Sequence, residues 1–140
     1  MNNTADKESR KETLRTLIER ACKDIFYQSE TDAPVEPFSR GNAAALTIQM
    51  MLEKTGKSER FPAEEMDAEK FFDRVTKIND WYSDAQAENA RKFAFLIKLL
   101  AENLGDLRVF KIGKIQIDIY VVGIDDEENL AGVTTKAVET

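Results

Sequence analysis

The stretch Leu107-Arg108-Val109-Phe110-Lys111-Ile112-Gly113-Lys114-Ile115-Gln116-Ile117-Asp118-Ile119-Tyr120-Val121-Val122 decides the fold class. Ile115, Ile117, Ile119 and Val121 alternate with Gln116, Asp118, Tyr120 and Val122, and that period of two predicts a strand with one face on a core. Leu107 to Ile112 is rich in branched and aromatic residues, Gly113 interrupts the run, and the two halves read as a hairpin. Leu130 to Val138 carries Val133, Thr134, Thr135 and Val138 and predicts a third strand after the acidic loop Asp125-Asp126-Glu127-Glu128-Asn129. The strands are expected to run almost to Thr140; a strand ending there would present a fixed carboxylate, and the strand pattern leaves open whether that end is functional or merely frayed.

Outward from this block the periodicity changes to that of helices. Ala90, Phe93, Leu96, Ile97, Leu100 and Leu104 form one buried stripe, with Ser83 or Asp84 as cap and Gly105 as the stop. Asn79-Asp80-Trp81-Tyr82-Ser83-Asp84 leads into this helix and holds the single tryptophan. Trp81 reads either as a staple packed on Ala87 or Ala90 or as an exposed anchor of the kind enriched at interfaces. Asp67 is expected to cap a short helix with Phe71, Phe72 and Val75, and Phe61 to Met66 to form an edge strand with Pro62 at its start. Gly41-Asn42 predicts a turn and cap for a helix over Ala43 to Lys54, with Leu46, Met50, Met51 and Leu52 inward and Gly56 as its left-handed stop. Phe26 to Pro34 reads as a loop, with Glu30 exposed on it and Pro34 and Pro37 bracketing an extended piece. The first helix, from about Thr4 to Asp24, carries the stripe Leu14, Leu17, Ile18, Ala21 and Ile25 opposite Lys7, Glu8, Arg10, Lys11, Glu12, Arg15, Glu19 and Arg20. Helices segregated from a terminal run of strands predict an α+β fold, with helices covering a mainly antiparallel sheet.

The 140 residues are expected to form one domain, 1–140, large enough to bury a core without metals or disulfides. Hydrophobic residues make up 42% and charged residues 33%, the balance of a globular chain rather than a disordered one. No apolar run is long enough to cross a membrane and the first residues lack the pattern of a signal peptide, so a cytoplasmic protein is expected. Cys22 is the only cysteine and sits in an apolar helical pattern, the setting of a packed side chain. The chain has no histidine, which removes Ser-His-Asp and Cys-His chemistry and most zinc sites. Its net charge of −6, from 26 acidic and 20 basic side chains, repels nucleic acid and anionic membranes and favours a basic partner.

No motif carries catalysis or a cofactor. Gly56-Lys57-Ser58 lacks the first glycine of a phosphate-binding loop, since Met51 stands there. Asp125 to Glu128 lacks the alternation and glycine of an EF-hand and reads as a solvated charge run. No two carboxylates are marked out as a glycosidase-like pair. What remains is a set of exposed binding candidates beside rigid elements: Glu30, Asp80, Trp81 and Thr140. Acidic groups imitating phosphate, with one aromatic wedge, suit a basic and metal-containing cleft.

Four segments resemble the nuclease A inhibitor family: Asp80-Trp81-Tyr82 before the long helix, Val109 to Gly113, Ile117 to Gly123, and Asn129 to Thr140. Weaker similarity runs through Ser29-Glu30, Thr55-Gly56 and Phe71-Phe72. The segments before Leu14, from Gly41 to Leu46 and from Asp125 to Glu128 depart from the family pattern. The resemblance implies an α-β-α sandwich that inhibits a sugar-non-specific, magnesium-dependent endonuclease of DNA and RNA, with no catalysis of its own. It further implies that Glu30 takes the place of a substrate phosphate, that Trp81 with Asp80 packs at the interface, and that Thr140 reaches toward the nuclease's magnesium through its hydroxyl or carboxylate. A regulatory module of the same fold with a non-nuclease partner is the alternative.

Overall fold

A computed structural model describes residues 3–140, with side chains from Thr13 onward. The predicted charged face of the first helix between Lys7 and Glu12 therefore lies outside the described side chains. The elements run α1 (Asn3–Cys22), β1 (Phe26–Gln28), β2 (Asp32–Pro34), β3 (Glu36–Asn42), α2 (Ile48–Lys54), β4 (Ala63–Met66), α3 (Ala68–Thr76), α4 (Asp84–Asn103), β5 (Arg108–Gly113), β6 (Gln116–Ile124) and β7 (Asn129–Val138).

Five strands form one antiparallel sheet in the order β3-β7-β6-β5-β4, and β1 and β2 form a separate two-stranded sheet. The hairpin expected around Gly113 is present, with Gly113 opposite Ile117. Glycine is required there: φ is +117°, and a Cβ would stand 2.2 Å from the Gln116 carbonyl oxygen. Gly132 meets the same constraint in β7, where φ is +153° and a Cβ would lie 2.0 Å from the Val121 oxygen.

The sheet is covered on both faces, as the α-β-α sandwich implied by the resemblance requires, whereas the period of two in β6 alone predicted one buried face. Ile117, Ile119 and Val121 face a core with Ile18 and Cys22 of α1, Phe71 of α3 and Phe93, Leu96 and Leu100 of α4. Tyr120 and Val122, the supposed outer row, face a second core with Met51 and Leu52 of α2, Phe38, Phe110, Ile112 and Leu130. The result is an α+β fold in three layers, α-β-α. Burying one such Leu or Ile is worth about 1.5–3 kcal/mol, so the two clusters supply the main driving force.

Several local expectations change. Ile115 lies in the hairpin bend and is exposed, as is Leu17 on α1, because helix and strand periodicity both overrun the packed surface. Helix α2 starts at Ile48 with Thr47 as cap, its hydroxyl accepting from Met50 N, while Gly41 and Asn42 extend β3 instead. Gly56 does adopt the left-handed stop, at φ +73°. Asp67 caps α3 by accepting from Lys70 N. Ser83 caps α4 in a full capping box with Gln86, and Gly105 follows the helix without a left-handed φ. Strand β7 ends at Val138, two residues before Thr140.

Candidate functional site

The segment Phe26 to Pro34 is a β-hairpin, not a loop, and Glu30 stands at its tip between Ser29 and Thr31. Turn chemistry shapes the tip: Ser29 N donates to Thr31 O at 3.0 Å, and the Ser29 hydroxyl donates to the same oxygen at 3.0 Å. That hydroxyl also accepts from Val138 N at 3.1 Å, so the tip is tied to the end of β7. At the base, Val35 N donates to Ile25 O, and the Thr135 hydroxyl of β7 donates to Pro34 O at 3.0 Å.

These ties bring two of the candidates together. The Thr140 hydroxyl donates to Glu30 Oε1 at 2.7 Å, and Thr140 N approaches the same oxygen at 3.3 Å. Glu30 Oε2 has no partner among the described residues. Glu139, between Thr140 and the strand, is held on its other side by Lys111, whose Nζ lies 2.9 and 3.0 Å from its two carboxylate oxygens and 3.6 Å from Glu64. The Lys111 side chain is only 15% exposed, so this ion pair is partly shielded from solvent and firmer than a surface pair. Glu139 N also donates to Ile115 O at 3.0 Å.

Asp80 and Trp81 occupy the centre of a tight turn between α3 and α4, closed by Tyr82 N donating to Asn79 O at 3.0 Å. Trp81 is 78% exposed and touches the Tyr82 ring edge-on, with centroids 6.1 Å apart, so the staple on Ala87 or Ala90 is not formed. Asp80 is exposed beside it. Ile78, three residues earlier, is also exposed, at 48%. It follows the last turn of α3, where the helical stripe ends, and an apolar residue outside any period was the only sign of it.

A groove of about 150 Å³ lies between β1 and the entrance of α4, lined by Tyr27 and Gln28 of the hairpin and by Tyr82, Gln86 and Asn89. On its floor Tyr27 stacks on Phe71, centroids 5.8 Å apart, and its hydroxyl accepts from Arg74. Burial pushes the Tyr27 phenol up, against the opposing pull of Arg74. Arg74 also lies over both rings, at 5.5 and 5.7 Å from their centroids. Sequence reading missed Ser29, Arg74 and Lys111, because each works through a partner more than 25 residues away.

Among the described residues no group of three or more Asp, Glu or Cys side chains gathers to hold a metal ion, and no helix is long and apolar enough to cross a membrane. The arrangement pairs a carboxylate and a hydroxyl at one tip with an exposed aromatic at a neighbouring turn. A family model described as nuclease A inhibitor-like protein matches residues 12–140. No curated protein matches the chain.

Proposed function

Since the chain belongs to the nuclease A inhibitor-like family, we propose that it is a protein inhibitor that binds and blocks the active site of a non-specific, magnesium-dependent endonuclease of DNA and RNA. It acts by occlusion, with no reaction of its own. The observation that carries this reading is the Glu30–Thr140 pair at the hairpin tip, 2.7 Å between hydroxyl and carboxylate. A carboxylate held through one oxygen keeps the other for an incoming cation, as a substrate phosphate keeps its free oxygens, and charge-assisted bonds to Arg or Lys are the strong ones. The Thr140 hydroxyl adds a second hard oxygen within reach of the partner's magnesium, directly or through its water. Asp80 adds charge at the turn before α4, and Trp81 supplies an aromatic anchor of the type that dominates interface energetics.

Pre-organisation supports the same reading. The tip is bonded to β7 and its neighbour Glu139 to Lys111 before any partner arrives, so little conformational freedom remains to be lost on binding. The net charge of −6 speeds encounter with a basic cleft and makes association fall with salt.

The test is titration into such a nuclease with DNA and RNA cleavage as the readout. Stoichiometric loss of both activities is expected, and undiminished cleavage at excess protein would overturn the proposal. Glu30→Gln keeps an acceptor for Thr140 but removes the charge; it is expected to weaken inhibition about 30-fold, as loss of a hot spot of ~2 kcal/mol does. Trp81→Ala is expected to cost a similar factor.

A further inference from the structure

Glu30 and Trp81 sit on elements far apart in sequence, and something must fix the distance between them. Tyr27 anchors the two-stranded sheet in the main core, but a single buried ring leaves the edge of β1 to be aligned on α4 by other means. Val35 N donates to Ile25 O, and the alternation of antiparallel pairs then turns the N–H and C=O of Phe26 outward, onto the free edge of β1. Both groups meet one side chain. Asn89 Oδ1 accepts from Phe26 N at 2.8 Å, and Asn89 Nδ2 donates to Phe26 O at 2.9 Å. A carboxamide presents an acceptor and a donor on one plane, so Asn89 gives Phe26 what a neighbouring strand would give. Asp offers only half of this pair, and Leu none.

Asn89 lies in the second turn of α4, six residues after the Ser83 cap, about 9 Å along the helix at 1.5 Å per residue. The Trp81 turn is joined directly to that cap. One rigid piece of capped helix thus carries the aromatic at its entrance and grips the hairpin of Glu30 further along. The geometry points to Asn89 as the positioning residue that sets the spacing between acidic tip and aromatic anchor, so that both engage one partner at once. This rests on the inhibitor reading and adds to it the device that makes two remote groups act as one surface. Linked contacts gain strength only when geometry lets both engage together.

The experiment uses the full chain as wild type, Asn89→Ala, Asn89→Asp, Trp81→Ala and the double variant Asn89→Ala/Trp81→Ala. In the free protein, amide exchange at Phe26 is expected to rise about 10-fold or more in Asn89→Ala, since an edge amide without an acceptor opens locally. Inhibition is expected to weaken about 10-fold, mainly through faster dissociation. Asn89→Asp, which keeps the acceptor, is expected to fall between the two and serves if the alanine variant folds poorly. The decisive readout is coupling: adding Asn89→Ala to Trp81→Ala is expected to cost less than about 2-fold more, because joint engagement is already lost. A residue that only stabilises the fold would lower the melting temperature and leave the two losses multiplicative. Wild-type inhibition that survives Asn89→Ala unchanged while Phe26 exchange rises, or losses that multiply, would overturn the positioning role. A wild type that does not inhibit would overturn the inhibitor reading itself, and the spacing role with it.

Discussion

The two sheets of this molecule are held by different physics. The five-stranded sheet is sandwiched between apolar layers, and Val109, Val122, Leu100, Leu130 and Met51 have no solvent exposure at all. The two-stranded sheet of β1 and β2 buries Tyr27 and Ala33 but has no layer of its own, and an isolated hairpin of that size is at best marginal in water. Side chains hold it at every free edge: Asn89 on β1, Thr135 on β2 and Ser29 at the tip. The large sheet is a scaffold made by burial on both faces, and the small one is anchored in one of those cores through Tyr27 and aligned by hydrogen bonds. Stability and placement can therefore be altered separately.

The sharpest way to break the scaffold is Leu100→Ala. Leu100 is fully buried where α4 meets the sheet, and its loss is expected to cost about 2–5 kcal/mol in urea denaturation. Inhibition by the fraction that remains folded is expected to hold. A second test is pH. Burial pushes the Cys22 thiol from 9.0 up to about 12, with Glu19 and Glu36 adding to the rise. The unfolded thiol ionises near 9.0 while the folded one stays protonated, so stability is full below pH 9 and falls by about 1.4 kcal/mol per pH unit toward 12. Burial raises Tyr27 and Tyr120 in the same direction and steepens the loss. Flat stability between pH 9 and 11 would show that Cys22 is not sealed. The smallest effect is expected from Thr135→Val, which leaves the Pro34 carbonyl short of a donor at a cost of about 1–2 kcal/mol. Its mark is local: faster exchange in β1 and β2 with the large sheet unchanged.

The same division decides what the sequence revealed. The hairpin of β5 and β6, strand β7, the Asp67 cap and the stripe of α4 were legible because local period and turn chemistry coincide with tertiary packing there. The second apolar face was legible only through the resemblance, which implied an α-β-α sandwich; the local pattern mixes Gln116 and Asp118 with Tyr120 and Val122 on that row, and α2 is too short to announce the layer that covers them. Phe26 to Pro34 read as a loop because its strands are three residues each and their bonds go to Asn89, Thr135 and Val138. Among the candidates, Glu30, Asp80, Trp81 and Thr140 came from resemblance and exposure. The contact between Glu30 and Thr140 spans 110 residues and had no local signature.

Strand β7 lies between β6 and β3, with Val133 opposite both Val121 and Pro37. During synthesis, β3 therefore emerges long before the strand it pairs with and must wait as an unpaired edge until residues 129–138 are made. The β5–β6 hairpin can assemble meanwhile from nearby contacts and β4 can join it across the length of α3 and α4, but the sheet closes only through the β3–β7 pairings, about 90–100 residues apart, the kind that slow folding. The step that inserts β7 also delivers Thr140 to Glu30. A half-made chain accordingly has neither the closed sheet nor the joined tip, and both arrive in one event.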